Sequence, residues 1–346
     1  MNACHNIYSQ IITLENIFQA WDGFVKGKRK KTDVLIFSRF LEENLFDLYE
    51  LLKNKTYKHD GYQEFYVRDP KIRDIHKACV KDRVVHHLVS KVLEEIFEPT
   101  FFAHSYSCRK MKGTHKAIKA FVKLTRQASH NNSSKLFILK CDIRKFFASV
   151  NHNVLINLLS KKIVDPDFIW LLDVIIQSFN TKNHDGEGMP IGNLTSQLFA
   201  NIYMDPLDKF IKNELKVKYY IRYADDFVLM SHNREILINF LEKIDDFLKN
   251  NLKLSLHPKK IEIRDYYLGT DFLGYVIFPK YIIPRTKTKK RIFRKLKKKA
   301  DLIRKGESDT HTLNESVQSY LGYLSHCNSY KLAQEVKNQL LFLNSD

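Results

Sequence analysis

The sequence is poor in cysteine, and the few it has are badly placed for cross-linking. Cys4, Cys79, Cys108, Cys141 and Cys327 are odd in number, scattered over 346 residues and never spaced as Cys-x-x-Cys. Neither a disulfide framework nor a zinc site follows, and a reducing cytoplasm is the expected setting. Long apolar runs are missing too: no stretch is apolar for long enough to span a bilayer, and Met1 to Gln10 lack the basic-then-apolar order of a signal peptide. No membrane partner is expected. Acid is the third shortage. Lys and Arg number 57 against 39 Asp and Glu, a formal net charge of +18, which points to a polyanionic partner whose counterions the cations displace. With 17 Tyr and 24 Phe, a packed globular fold is expected rather than a disordered basic tail. The length allows two or three subdomains.

Against that shortage, two adjacent acids stand out. The run Tyr219-Tyr-Ile-Arg-Tyr-Ala-Asp-Asp-Phe-Val-Leu-Met-Ser231 is rich in aromatic and β-branched residues and reads as a buried hairpin, yet Asp225 and Asp226 interrupt it. A solvent-facing turn is one reading. However, the pair lacks the glycine a two-residue turn prefers, and adjacent carboxylates repel unless a cation neutralises them. A second apolar strand, Lys135 to Cys141, ends at Asp142. If that strand lies beside the hairpin, three carboxylates converge as hard oxygen ligands suited to Mg²⁺, with Mn²⁺ as a substitute. Two such ions about 3.5 to 4 Å apart serve in-line phosphoryl displacement, which is nucleotidyl-transfer chemistry.

These stretches resemble the reverse transcriptases. Tyr223-Ala-Asp-Asp226 is similar to the signature of that family, Asp142 with Phe146 and Phe147 to its first catalytic motif, and Phe272-Leu273-Gly274-Tyr275 to its primer grip. The other motifs follow in the family order between about Tyr66 and Tyr330. The resemblance implies an α+β right-hand polymerase, an RNA-directed DNA polymerase, with an N-terminal helical extension at 1–60 and fingers at 61–134. Palm would be 135–278, with a helical insertion at about 153–187, and a helical thumb 279–346. It implies Asp142, Asp225 and Asp226 as catalytic metal ligands and Lys260, or Lys259, near the pyrophosphate. The incoming dNTP would meet Arg68 and Arg73 in a fingers hairpin turning at Asp69-Pro70, with Lys71 a competitor for that role. Phe147, or Phe146, would stand against the sugar 2′ position. Arg109, Lys110 and Lys112 would follow the template, Phe272 to Tyr275 would hold the primer, and Lys290, Arg294 and Lys298 on a basic thumb helix would track the duplex.

Gly188-Met-Pro-Ile-Gly-Asn-Leu-Thr-Ser-Gln197 departs from the usual pattern. Most members carry Gln before the second glycine and Ser-Pro after it; here Ile191, Gly192 and Gln197 stand in the motif. That departure resembles the reverse transcriptases of diversity-generating retroelements, which copy a template RNA into cDNA with errors opposite adenine. The resemblance implies a bacterial or archaeal enzyme using template RNA, a DNA or cDNA primer, dNTPs and a small basic pentameric accessory protein. An antiphage-defence enzyme and a non-catalytic nucleic-acid scaffold are the alternatives. Ile191 cannot donate a hydrogen bond, so a correctly paired nucleotide would gain less from the site. No ribonuclease H or His-Asn-His pattern follows, so RNA removal or target nicking is expected from elsewhere. Helical spacing predicts helices over Thr32 to Lys55, over Ser196 to Leu215 with a kink at Pro206, and over Asn233 to Asn250. The last would pack through Ile236, Phe240, Ile244 and Phe247.

Overall fold

A computed structural model describes residues 6–68, 71–181 and 185–341. The N-terminal segment is helical because its apolar residues recur at helical spacing. It forms α1 (Ile7–Ile11) and α2 (Leu14–Val25), the second capped by the Thr13 hydroxyl. The single helix expected over Thr32 to Lys55 is two, α3 (Thr32–Ser38) and α4 (Leu41–Lys53). At the break the Asn44 amide donates to the Phe37 carbonyl (3.0 Å), satisfying an acceptor that the interrupted helix leaves open.

Strands β1 (Tyr62–Val67) and β2 (Arg73–Ala78) form an antiparallel hairpin; its expected turn at Asp69-Pro70 lies outside the described residues. Helices α5 (Val80–Phe97) and α6 (Thr114–Ala128) come next. Arg83 on α5 pairs with Asp33.

The central sheet is antiparallel, in the order β4 (Tyr219–Tyr223), β5 (Asp226–Ser231), β3 (Phe137–Asp142), β6 (Glu262–Asp265). Strand alternation sorts its two faces. Leu139, Cys141, Phe227 and Leu229 join a large core with α7 (His152–Ser160), α8 (Pro166–Gln177), α9 (Leu194–Lys209) and α10 (Arg234–Leu252). Ile138, Ile221, Val228 and Met230 face α6 and a second core.

Two helices differ from the sequence expectation. Pro206 stays inside α9, and the irregularity comes later as a π-helical turn over Phe210–Glu214. The buried stripe of α10 is Leu237, Ile244, Leu248 and Leu252, while Ile236 is exposed; Phe240 and Phe247 pack at the margin.

A small antiparallel sheet of β7 (Thr270–Phe272), β8 (Tyr275–Ile277) and β9 (Ile282–Pro284) leads to a bundle of α11 (Thr286–Arg304), α12 (Thr310–Leu324) and α13 (Tyr330–Leu341). The boundary expected at 278/279 falls between β8 and β9, inside one sheet. The bundle has its own core of Ile292, Leu296, Leu313, Val317, Leu324 and Val336. Sheet and bundle are tied together: the Tyr275 hydroxyl donates to the Tyr323 carbonyl (2.9 Å), the Tyr323 hydroxyl to the Gly274 carbonyl (2.7 Å), and the two rings stack at 4.6 Å. Among the described residues no helix is long and apolar enough to cross a membrane.

Candidate active site

Antiparallel pairing brings the three acids together. Asp142 ends β3 directly opposite Asp226, the first residue of β5, and Tyr223 of β4 also pairs with Asp226. Ala224 and Asp225 are therefore a two-residue turn, with Ala224 in the left-handed region (φ 55). The Asp225 carbonyl accepts from the Ile143 N–H (3.2 Å), which fixes the turn against the end of β3.

The electrostatics are strained towards a cation. Burial and the nearby Asp142 push the Asp225 carboxyl up, with Lys260 and Lys71 only partly offsetting them. Burial pushes Asp226 up to about 6, despite Lys140 beside it. Lys260 lies 2.6 Å from Asp142, and Lys140 lies 3.5 Å from Asp226 while donating to the Asp271 carbonyl (2.6 Å). Oδ1 of Asp226 is buried without a hydrogen-bond partner. Among the described residues, triplets of ligand atoms within 4.8 Å of one another occur at Asp60, Cys79 and Asp82 and at Glu64, Asp74 and His76, not at these aspartates. The two lysines occupy oxygens on two of the three. The donor set still fits a hard divalent ion: three carboxylates, one orphaned oxygen, and a repulsion that positive charge would relieve.

A cavity of about 670 Å³ opens beside Asp225, lined by Arg73, Phe146, Phe147, Met189 and Ile191 among others. Its roof is the β1–β2 hairpin. The Ile191 carbonyl accepts from the His76 N–H (2.9 Å), and Asn193 accepts from the Ala78 N–H (3.2 Å) and donates to the His76 carbonyl (2.9 Å). Gly192 has φ +121, and a Cβ there would lie 2.8 Å from Ile75, so the close approach requires glycine.

Comparison with known proteins agrees with this geometry. The family model for reverse transcriptase (RNA-dependent DNA polymerase) matches residues 58–277. The chain belongs to the reverse transcriptase family. It is 25% identical over 314 residues to the putative COX1/OXI3 intron 2 protein of Saccharomyces cerevisiae, covering 71% of this chain and 35% of that one. To the group II intron-encoded protein LtrA of Lactococcus lactis subsp. cremoris it is 23% identical over 384 residues, covering 90% and 60%. The chain thus spans between about a third and three fifths of the length of these relatives. The apo telomerase of Candida tropicalis has the same fold, with a TM-score of 0.52 and 14% identity over 83% of this chain and 57% of that chain.

Within this reverse transcriptase fold, the expected site residues separate into two groups. Asp142, Asp225, Asp226, Lys260, Arg73, Phe146, Phe147, Ile191 and Gly192 gather at the carboxylates or along the adjoining cavity and its roof. Phe146 is buried and Phe147 half-buried, so Phe147 is the ring with surface left for a ligand. Arg68 is exposed at the hairpin end, outside the cavity lining. Lys290, Arg294 and Lys298 form an exposed stripe on α11, opposite its buried Ile292 and Leu296.

The second group belongs elsewhere. Gln197 lines a separate small cleft with Glu94 and Glu98, away from Ile191. The Arg109 guanidinium is engaged by Glu98 (2.9 Å) and by the carbonyls of Phe102 and Ser105, so it braces the segment from Glu98 to Arg109. Phe272 and Tyr275 are buried in the second core, which leaves the Leu273-Gly274 turn between them as the surface a primer can reach. Sequence reasoning missed Lys140, which sits one pleat back from Asp142 on the same strand face. It also missed Asn193, which sews the Gly192 loop to the hairpin.

Proposed function

We propose that the chain is an RNA-directed DNA polymerase that extends a DNA or cDNA primer on a template RNA with dNTPs, in the setting of a diversity-generating retroelement. The observation that carries the polymerase reading is the register that seats Asp142 against Asp226, beside the Asp225 turn, at the mouth of a cavity roofed by Arg73. Asp142 and Asp225, with Asp226 more peripheral, would hold Mg²⁺, which when bound would supply acidification of the primer 3′ hydroxyl and charge stabilisation at the phosphoryl group. The protein does the rest. Arg73, helped by Arg68 and Lys71 at the hairpin end, neutralises the triphosphate as a guanidinium fork suits phosphate oxygens. Lys260, already against Asp142, is placed to stabilise or protonate the departing pyrophosphate. Phe147 excludes a 2′ hydroxyl by its bulk, the Leu273-Gly274 turn supports the primer end, and Lys290, Arg294 and Lys298 follow the duplex backbone. In subdomain terms, fingers run from 61 to 134 and palm from 135, and the thumb starts after β9. A basic pentameric accessory protein and a structured template RNA complete the assembly in this reading.

The test is primer extension on a defined RNA template followed by sequencing of the cDNA. Mg²⁺-dependent, full-length cDNA is expected; copying of a DNA template alone would overturn the assignment. The retroelement setting is supported by Ile191, whose aliphatic side chain lines the cavity where most of the family presents an amide. Ile191→Gln should therefore lower misincorporation opposite template adenine about tenfold. An unchanged error spectrum would remove Ile191 from that role.

A further inference from the structure

Among the described residues Arg222 is the largest fully buried side chain, at 0% exposure, and it lies behind the turn that carries Asp225. β4 alternation sends it to the α9 side of the sheet. There its Nε and Nη2 donate to the two oxygens of Asp208 on α9, at 2.8 and 2.6 Å. Its Nη1 donates to the Ala224 carbonyl at 3.0 Å and reaches Asn201 Oδ1 at 3.5 Å. The backbone of Arg222 is held as well: its N–H donates to the His104 carbonyl and its carbonyl accepts from the Tyr106 N–H, both at 3.0 Å. Tyr220 adds a hydrogen bond to Asp208 (2.7 Å) from the far side.

A buried ion pair is a poor way to gain stability, because desolvating two charges costs about as much as their attraction returns, and apolar replacements of similar volume often do better. An apolar pair, however, offers no donor to a carbonyl. The carbonyl concerned belongs to Ala224, the one residue of the turn in the left-handed region (φ 55), a conformation that is strained for a residue with a Cβ. The next residue is Asp225. Its carboxylate is half-buried and stands beside the facing Asp142 and Asp226, so repulsion works to displace it. The turn therefore needs a brace, and the bidentate Asp208 grip fixes the direction of the guanidinium that provides it.

We propose that Arg222, anchored by Asp208, is a positioning residue that locks the Ala224-Asp225 turn so that the Asp225 carboxylate stays aimed at its divalent cation. The inference rests on the polymerase reading of Asp225. Asp208 and Asn201 both lie on α9, the helix that opens just after the Gly192 loop, and Asn201 also donates to the Ser107 carbonyl (2.9 Å). The brace thus joins the Asp225 turn to α9, the helix that begins two residues after Gly192.

Arg222→Lys keeps a cation for Asp208 but cannot grip it with two prongs and reach Ala224 as well; Asp208→Asn keeps the shape and releases the grip. In the full chain, Mn²⁺ affinity measured by electron paramagnetic resonance of the free ion should fall about 10- to 100-fold in both variants. The Mg²⁺ concentration for half-maximal primer extension should rise in step, while the KM for dNTP at saturating Mg²⁺ changes little. Tyr220→Phe is the control, since it loosens the same network without touching the Ala224 carbonyl. It should lower the melting temperature and leave Mn²⁺ affinity unchanged. Wild-type affinity in Arg222→Lys and Asp208→Asn, or an equal loss in Tyr220→Phe, would overturn the proposal. A wild-type protein that binds Mn²⁺ and extends no primer would instead sink the polymerase reading and leave the brace standing.

Discussion

Asp225→Asn should reduce primer extension on the order of 10³-fold while leaving the protein as stable as before or more so. The two effects have one cause. Asp225 is a half-buried carboxylate close to Asp142, so in the folded chain its charge is opposed both by partial desolvation and by its neighbour. Removing that charge relieves the fold, and a melting temperature higher by about 2 °C is expected. The same charge is what a cation needs, so activity disappears as stability rises. Asp142→Asn should abolish extension equally but without the gain in stability, because Asp142 already has Lys260 at 2.6 Å. Calorimetry beside a primer-extension assay separates the cases. Equal extension by Asp225→Asn and the unaltered protein would take Asp225 out of the chemistry.

Arg73→Ala is expected to raise the KM for dNTP about 100-fold with little change in affinity for the template–primer. Arg73 lines the cavity beside Asp225, whereas Arg68 does not, so Arg68→Ala should produce a much smaller increase. Arg73→Lys should recover only part of the loss, since an ammonium cannot present two parallel donors to phosphate oxygens. Steady-state kinetics in dNTP, at saturating template–primer, distinguish these outcomes. Comparable effects at Arg68 and Arg73 would overturn the separate role given to Arg73.

The meeting of Asp142, Asp225 and Asp226 was legible because each is a local contradiction, a carboxylate at the end of an apolar strand, and strand pairing needs little more than alternation to bring such ends together. Ile191 and Gly192 were legible for a similar reason, as a break in a short pattern. Arg109, Gln197, Phe272 and Tyr275 were misplaced because a motif gives the neighbourhood of a side chain but not the face it takes. Arg109 met Glu98 across a loop, and alternation buried Phe272 and Tyr275 on either side of a half-buried turn. The split between α3 and α4 was hidden because apolar periodicity continues through Arg39-Phe40 while the backbone does not. Lys140 and Arg222 read as ordinary charges in a strand, and only the register shows one beside Asp226 and the other behind it.

The crossed hydroxyls of Tyr275 and Tyr323 have a mechanical outcome. Each ring donates into the other's backbone neighbourhood, so the three-helix bundle cannot swing without dragging the Leu273-Gly274 turn with it. In the proposed polymerase, clasping the double strand and setting its terminus in register would then be a single stroke, with a step along the template by one base moving both ends of that lever at once.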